Sequence, residues 1–557
     1  VVGREAELRE IAGALDRTRT GQGQLLLLTG EPGVGKTRLC DEAAALASAR
    51  AVPVLWGRAW EAGGAPAYWP WIEVMGGLAA SLDDGALRDA LGEGAALIAE
   101  LIPAVRSRLG ALPATATPSA DEGRFRLGRA VSALVRRASA PAGWLIVLED
   151  LHAADEPSLW LLHFVARELR GARALILGTY RDVEARLDPS AGETLARVGR
   201  EATHLPVRRL DRAAAARLLR LRAGAIDPAT EERIFASTQG NPLFLEEMTR
   251  LYAEEGAAAI AAGTLPLGVR DVIRQRLGHV PPAARPLLDL AAVAGDEIDV
   301  ALLAAIAGGT TDAIATTLAG AVRAGVVVER GGDRLRFAHA LVREVLYREL
   351  DTARRRLLHG QVHGALASLH GAGPAPPLAE LAHHALEGPP AHIEAAVEVA
   401  IRAAARALEL VAHEEAVALL SRAAAAVERA GNPPAPRARV LLALARARLR
   451  GGELPAGRAL CLEAAGLARA LGDAPLLAEA ALVYGEVFTP ALVDPALVGL
   501  LEEALATQPP GDSGTRVRLL ARLAGAMTPA VRTAEPAQIA REAIAAARRL
   551  GEPATLL

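Results

Sequence analysis

The sequence predicts a multidomain chain: an α/β P-loop NTPase core with a parallel sheet, then a helical lid, a winged helix and an all-α, tetratricopeptide-like solenoid. Three observations predict it. First, Gly30-Glu31-Pro32-Gly33-Val34-Gly35-Lys36-Thr37 fits GxxxxGK[ST] at every fixed position, between an apolar run (Leu25 to Thr29) and an Ala- and Leu-rich helical stretch (Lys36 to Arg50). Second, another apolar run, Trp144 to Leu148, ends in the acids Glu149 and Asp150. Third, helix-ending glycines recur at Gly431, Gly472, Gly511 and Gly551, a period of about 40 residues that marks stacked helix pairs.

The core is expected over residues 1–210. Glu5 to Arg17 carries Leu8, Ile11, Ala12 and Leu15 at helical spacing, and Gly21 and Gly23 break it before the first strand. In the loop that follows, Gly30, Gly33, Val34 and Gly35 let backbone N–H groups close around a phosphate chain. Lys36 reaches the β- and γ-phosphates, the Thr37 hydroxyl ligates Mg²⁺, and Arg38 continues the motif into the helix. Lys36 is the only lysine in the chain, and the other 61 of the 62 Lys+Arg residues are arginine. A compact ammonium on a flexible stem fits where a planar guanidinium fork is too wide, so this position resists the replacement used elsewhere.

Val52 to Arg58 reads as the next strand, followed by an insert over about residues 59–142. The insert opens with an aromatic patch, Trp60, Tyr68, Trp69 and Trp71. Packing of the insert onto the core is favoured over adenine stacking, since Trp side chains usually anchor packing. At the end of the Trp144–Leu148 strand, one carboxylate is suited to hold Mg²⁺ through water and the other to orient an attacking water. The order of the two roles is open, because Glu149 stands where Asp is usual. Ala172 to Thr179 forms a further strand ending beside Arg181, a candidate γ-phosphate sensor, and His204 to Leu210 is expected as a fifth.

Beyond Asp211 the pattern turns helical, with a lid expected over 211–265 that contains the turn Gly240-Asn241-Pro242. Residues 266–350 read as helices and a hairpin, Val326 to Glu329 and Leu335 to Phe337, joined by Arg330-Gly331-Gly332-Asp333, which is a winged-helix pattern. Its candidate recognition helix, about Asp312 to Ala324, carries only Arg323 as a base, which argues against DNA reading by this wing. A helical linker is expected over 351–390 and the repeats over 391–557.

The net charge of −3 gives no global draw toward nucleic acid, and no apolar run approaches the roughly 18 residues of a spanning helix. Cys40 and Cys461 have neither disulfide nor metal-ligand spacing, consistent with small core residues in a reducing, cytoplasmic setting. The Val1-Val2-Gly3 start and a last repeat without a polar cap lead us to expect a piece of a longer protein.

Together, Val2-Gly3-Arg4-Glu5, the P-loop, Leu148-Glu149-Asp150-Leu151-His152, Gly178-Thr179-Tyr180-Arg181, Gly240-Asn241-Pro242 and Phe337-Ala338-His339-Ala340-Leu341-Val342-Arg343-Glu344 resemble the STAND class of signal-transduction ATPases. They look most like the large LuxR-type bacterial transcriptional regulators. The resemblance implies an ATP/ADP switch with Mg²⁺ that hydrolyses ATP slowly. Gly3 and Arg4 would lie along the adenine, Arg181 would read the γ-phosphate, Pro242 would contact the nucleotide from the lid, and His339 would hold the β-phosphate of ADP. It further implies an inducer bound by the repeats, ATP-dependent homo-oligomerisation, and DNA contact only through a segment not in this chain. The family's Met-His-Asp is Ala338-His339-Ala340 here, and Ala153 replaces a tryptophan after the acidic pair. Two other readings are an origin-recognition-type AAA+ ATPase acting on DNA through its winged helix, and a P-loop small-molecule kinase.

Overall fold

The computed structural model describes the chain except for residues 61–63, 111, 113–119, 182–188, 225, 256–268, 296, 330–333, 371–376, 488–492, 529–533 and 552–557. It divides into two units, Val1–Pro376 and Pro377–Leu557.

In the first unit, β1 (Gln24–Thr29), β2 (Val54–Arg58), β3 (Trp144–Glu149), β4 (Ala174–Tyr180) and β5 (Ala202–Pro206) form one sheet in the order β2-β3-β4-β1-β5. Every pairing is parallel. Both faces of the sheet are covered, which explains the uninterrupted apolar runs. Leu26, Leu28, Leu145, Val147, Leu175 and Leu177 form a core with Ile11 and Leu15 of the first helix (Glu5–Arg19) and with Leu39, Cys40 and Ala43 of the P-loop helix (Lys36–Ser48). The alternate residues, such as Leu27, Ile146 and Ile176, are also buried.

The fifth strand differs from the expected 204–210. Pairing begins at Leu25↔Ala202, and the last residue is Pro206, opposite Thr29. As an edge strand with one neighbour it tolerates exposed Thr203, His204 and Pro206, so the apolar pattern there misplaces it.

The aromatic patch packs the insert, as the composition suggests. Tyr68 and Trp71 are fully buried, the Trp71 Nε1–H donates to the Ser158 carbonyl at 3.1 Å, and Trp60 meets Trp69 edge-on at 5.7 Å between centroids. This packing leaves no room on β2, where a Cβ at Gly57 would lie 1.9 Å from the Pro70 carbonyl oxygen. Gly57→Ala is therefore expected to destabilise the first unit by about 3 kcal/mol or more, through overpacking against backbone. Urea unfolding checks this, and an unchanged midpoint would show that the insert can shift without cost.

Three helices, Arg212–Ala223, Pro228–Thr238 and Pro242–Glu255, make the lid around a small core of Leu210, Leu219, Ile234, Phe244, Leu245 and Met248. Next come helices Val269–Gly278, Arg285–Ala294, Val300–Ala307 and Thr311–Arg323. A three-stranded antiparallel sheet accompanies them, formed by β6 (Glu297–Asp299), β7 (Val327–Glu329) and β8 (Arg334–Phe337) in the order β6-β8-β7. The expected hairpin turn, Arg330 to Asp333, lies outside the described residues. Helix Thr311–Arg323 exposes Thr311, Asp312, Ala313, Ala315, Thr316 and Arg323, a face with one acid and one base.

The stretch expected as a linker, 351–390, is divided by the boundary between units. Helix Thr352–His370 packs on Arg285–Ala294 and Val300–Ala307 in the first unit, whereas Leu378–Glu387 packs on Ile393–Glu409 in the second. Buried Leu358, Val362 and Leu366 give the first of these helices an apolar face that the Arg-rich sequence around it disguises.

The second unit is helical throughout its described residues. Pairs Ile393–Glu409 with His413–Arg429, Pro434–Arg450 with Leu454–Leu471, Ala474–Tyr484 with Pro495–Thr507, and Gly514–Ala526 with Ala534–Leu550 follow one another, and the first helices of successive pairs pack together. The periodic glycines follow the second helix of each pair, and all four have positive φ. Cys461 sits in this core, its thiol pushed up to about 12 by burial. Among the described residues no single helix is long and apolar enough to cross a membrane.

Candidate functional site: the P-loop and the strand ends around it

The register of the sheet sets the site. Thr29 of β1 pairs with Tyr180 of β4, and Leu148 of β3 pairs with Gly178, so Gly30, Arg181 and Asp150 leave neighbouring strand ends at nearly one level. With strands about 4.8 Å apart, the P-loop strand and the acidic strand lie roughly 10 Å apart across β4, a span suited to a phosphate chain with its cation.

The P-loop is anchored through its carbonyls. Lys36 Nζ donates to the carbonyls of Gly30 (2.8 Å) and Glu31 (3.0 Å), and Asn241 Nδ2 donates to Pro32 O (3.1 Å). Leu243 N donates to Gly33 O at 3.2 Å, and Arg4 Nη2 to Val34 O at 2.8 Å. Five consecutive carbonyls are thus bonded to protein donors. Because a trans peptide points its C=O and N–H opposite ways, these bonds turn the Gly33 and Gly35 N–H groups to the other side, next to the first turn of the P-loop helix. That is a nest for an anion. Gly33 admits no side chain, since a Cβ there would come within 2.8 Å of the Leu243 Cβ.

Arg4 is 4% exposed and is also paired with Glu7 at 3.2 Å, so its guanidinium braces the loop rather than lying open for a base. Gly3 sits where a Cβ would be 2.6 Å from the Ala214 Cβ of the lid, so its role in this structure is close packing. Val34 is buried and Thr37 is exposed at the mouth of the loop. Arg38 points to solvent and pairs with Glu42 at 2.6 Å. Pro242 opens the lid helix at its first position, where a missing N–H costs nothing.

Glu149 is 1% exposed. Its Oε2 accepts from Arg58 of β2 (Nε at 3.1 Å), the residue with which it is in register, while its Oε1 is buried without a protein partner. Asp150 follows the strand in left-handed backbone (φ 57°), and its N–H donates to Thr179 Oγ1 at 2.9 Å. The buried Cys40 thiol of the P-loop helix is pushed up first by burial and then by the nearby charges of Glu149, Asp41 and Asp150. Arg181 is 8% exposed just past β4. A buried carboxylate oxygen with no protein donor, at the end of β3, fits a cation. Thr37 and Glu149 would hold Mg²⁺, which neutralises phosphate charge. Asp155, farther on, is committed to capping: it accepts from Ser158 N (2.9 Å), Ser158 Oγ (2.6 Å) and Tyr68 N (3.2 Å).

His339 lies in the winged helix, where its Nδ1 accepts the Leu341 N–H at 3.1 Å and caps helix Ala340–Glu349. Any phosphate contact by this ring falls to Nε2.

Sequence reasoning missed three residues. By sequence Asn241 is only a turn former, although it is one of two asparagines in the chain and stands between Gly240 and Pro242. Arg58 carries a signal only in register, at the end of the strand beside the acidic pair. Arg209 bonds Glu31 Oε2 and Gln239 Oε1, both at 2.8 Å, tying loop to lid, and nothing in the sequence distinguishes it from other arginines.

Comparison with known proteins finds that residues 1–178 match the AAA ATPase domain family. No curated protein matches the chain. Among solved structures, a signal transduction ATPase with numerous domains (STAND) and a tetratricopeptide repeat sensor from Pyrococcus horikoshii is similar, at 14% identity, covering 100% of this chain and 78% of that one, with a TM-score of 0.47. Thermotoga maritima RuvB is similar at 13% identity over 63% of this chain and 96% of that one, TM-score 0.27. Drosophila ORC bound to GC-rich DNA and Cdc6 is similar at 11% identity over 62% and 95%, TM-score 0.19. The part of the chain that matches this family is thus the amino-terminal 178 residues, which hold the P-loop and the acidic strand end.

Proposed function

We propose that the chain is an ATP-dependent signal-transduction switch of the STAND class. ADP holds lid and winged helix closed on the core, an inducer acting on the helical repeats loosens them, and exchange for ATP permits self-association. Slow hydrolysis resets the switch, and transcriptional regulation is the output its motifs suggest. One observation carries this reading. The lid helix Pro242–Glu255 is bonded at its start to two P-loop carbonyls, and farther along Glu247 pairs with Arg276 of the winged helix at 2.8 Å. Both partners are nearly buried, at 11% and 12% exposure, and Arg276 also donates to Gly325 O at 3.0 Å. Burial raises the Glu247 carboxyl against the pull of Arg276. A buried pair of this kind adds little net stability but fixes how two elements sit, and losing one partner is costly. One rigid helix therefore joins the winged helix to the phosphate site.

A ligand shifts such an equilibrium only by its differential affinity for the two arrangements, which here comes from contacts made in one nucleotide state and not the other. Mass spectrometry of nucleotide retained through purification should find ADP. Light scattering should then show a monomer with ADP and a larger species with a non-hydrolysable ATP analogue. An identical mass with both nucleotides would sink the switch, while leaving nucleotide binding intact.

A further inference from the structure

We propose that Asn241 is a positioning residue for nucleotide binding: it holds the P-loop nest in shape from the lid without touching the nucleotide, so that moving the lid releases the nucleotide. The inference rests on the phosphate site proposed above. Asn241 is 9% exposed, and its amide does two separate jobs. The Oδ1 accepts the N–H groups of Leu243 (3.1 Å) and Phe244 (3.4 Å), capping the lid helix. The Nδ2 donates to Pro32 O at 3.1 Å. The orientation follows from donors and acceptors, because a flipped amide would set NH₂ against two backbone N–H groups and an oxygen against a carbonyl.

The Pro32 carbonyl belongs to the same peptide as the Gly33 N–H, and the Gly33 carbonyl, bonded to Leu243 N, to the same peptide as the Val34 N–H. Fixing these two carbonyls therefore fixes the rotation of the peptide that carries the Gly33 N–H into the anion nest and of the next peptide, whose Val34 N–H closes the turn onto Glu31 O at 3.3 Å. Both ties come from the first residues of one helix, so they break together when that helix moves. The other three carbonyls are tied from within the core domain, by Lys36 and Arg4. Lid position is thereby written into two of the five tied carbonyls and not the other three.

The two jobs can be separated by substitution. Asn241→Ser keeps an oxygen for the cap, adds no charge and withdraws the donor from Pro32. Asn241→Asp is an equally good cap with the same outline and sets a carboxylate against that carbonyl. In the full chain without nucleotide, hydrogen exchange of the amides of residues 33–35 should quicken about tenfold in both variants, while helix 244–255 exchanges as in wild type. Release of a fluorescent ADP analogue should quicken at least tenfold in the Ser variant and more in the Asp variant, where the new charge also repels phosphate. Wild-type loop exchange and wild-type ADP release in Asn241→Ser would overturn the proposal, and so would loosening of the lid helix alone. Should the wild-type chain bind no ADP analogue, the nucleotide site fails, but the exchange measurement still decides whether Asn241 shapes the loop.

Discussion

Lys36→Ala is expected to abolish the thermal stabilisation that ATP or ADP gives the wild-type chain. At a ligand concentration of 100 times the dissociation constant that stabilisation should be about 2.7 kcal/mol. Lys36 is 7% exposed at the first position of the P-loop helix, and its ammonium now bridges the carbonyls of Gly30 and Glu31. A phosphate in the nest meets that ammonium at once, with no charge to bring in from solvent. Each charge-assisted hydrogen bond contributes about 1.5–3 kcal/mol, so losing bonds to two phosphates should weaken binding about 100-fold or more. The same substitution leaves two loop carbonyls without this donor, so the nucleotide-free protein should also melt slightly lower. The diagnostic quantity is the increment with nucleotide, measured by thermal shift against each protein's own baseline. A wild-type increment in the variant would place the nucleotide elsewhere.

How much of this was legible in the sequence varies with the physics of each part. The P-loop, the buried parallel strands and the helix pairs are governed by local pattern: glycines where backbone must turn or approach, apolar runs where a sheet is covered on both faces, and a period set by the helix pair. Those features appear in the residues themselves. The fifth strand was displaced because an edge strand need not be apolar on both faces. Helix Thr352–His370 reads as a linker because its buried Leu358, Val362 and Leu366 follow an arginine run and are interleaved with Gly360, Gly364 and histidines. The ties that make the site work are long-range: Asn241 reaches Pro32 across 209 residues, Arg58 reaches Glu149 across 91, and Arg209 reaches Glu31 across 178. No local pattern encodes them. Arg4 illustrates the difference from the other side, since its motif marks it as important while only the fold shows it bonded to Val34 O.

The two acids that the sequence leaves in open order stand in different environments, and substituting each should give different losses. Glu149 ends β3, is held through Oε2 by Arg58, and keeps Oε1 buried without a protein donor, so it is the acid that would hold a metal. Asp150 has left the strand in left-handed backbone and is only partly buried, which suits it to orienting water at the phosphate. Glu149→Gln retains the outline and an amide oxygen for Arg58 but removes the charge that attracts a cation. Added Mg²⁺ should then no longer strengthen ATP binding, whereas binding without Mg²⁺ should stay within about threefold of wild type. Asp150→Asn is compatible with the φ of 57°, because Asn visits that region as readily as Asp, so the backbone is not strained by the change. It should bind ATP with Mg²⁺ as wild type does and hydrolyse it about 100-fold more slowly, the usual scale for losing one proton-handling group. Isothermal titration with and without Mg²⁺, paired with single-turnover hydrolysis, separates the two. If Asp150→Asn instead loses the Mg²⁺ dependence and Glu149→Gln keeps it, the roles are reversed, and Arg58 then serves to neutralise a buried acid rather than to aim a metal ligand.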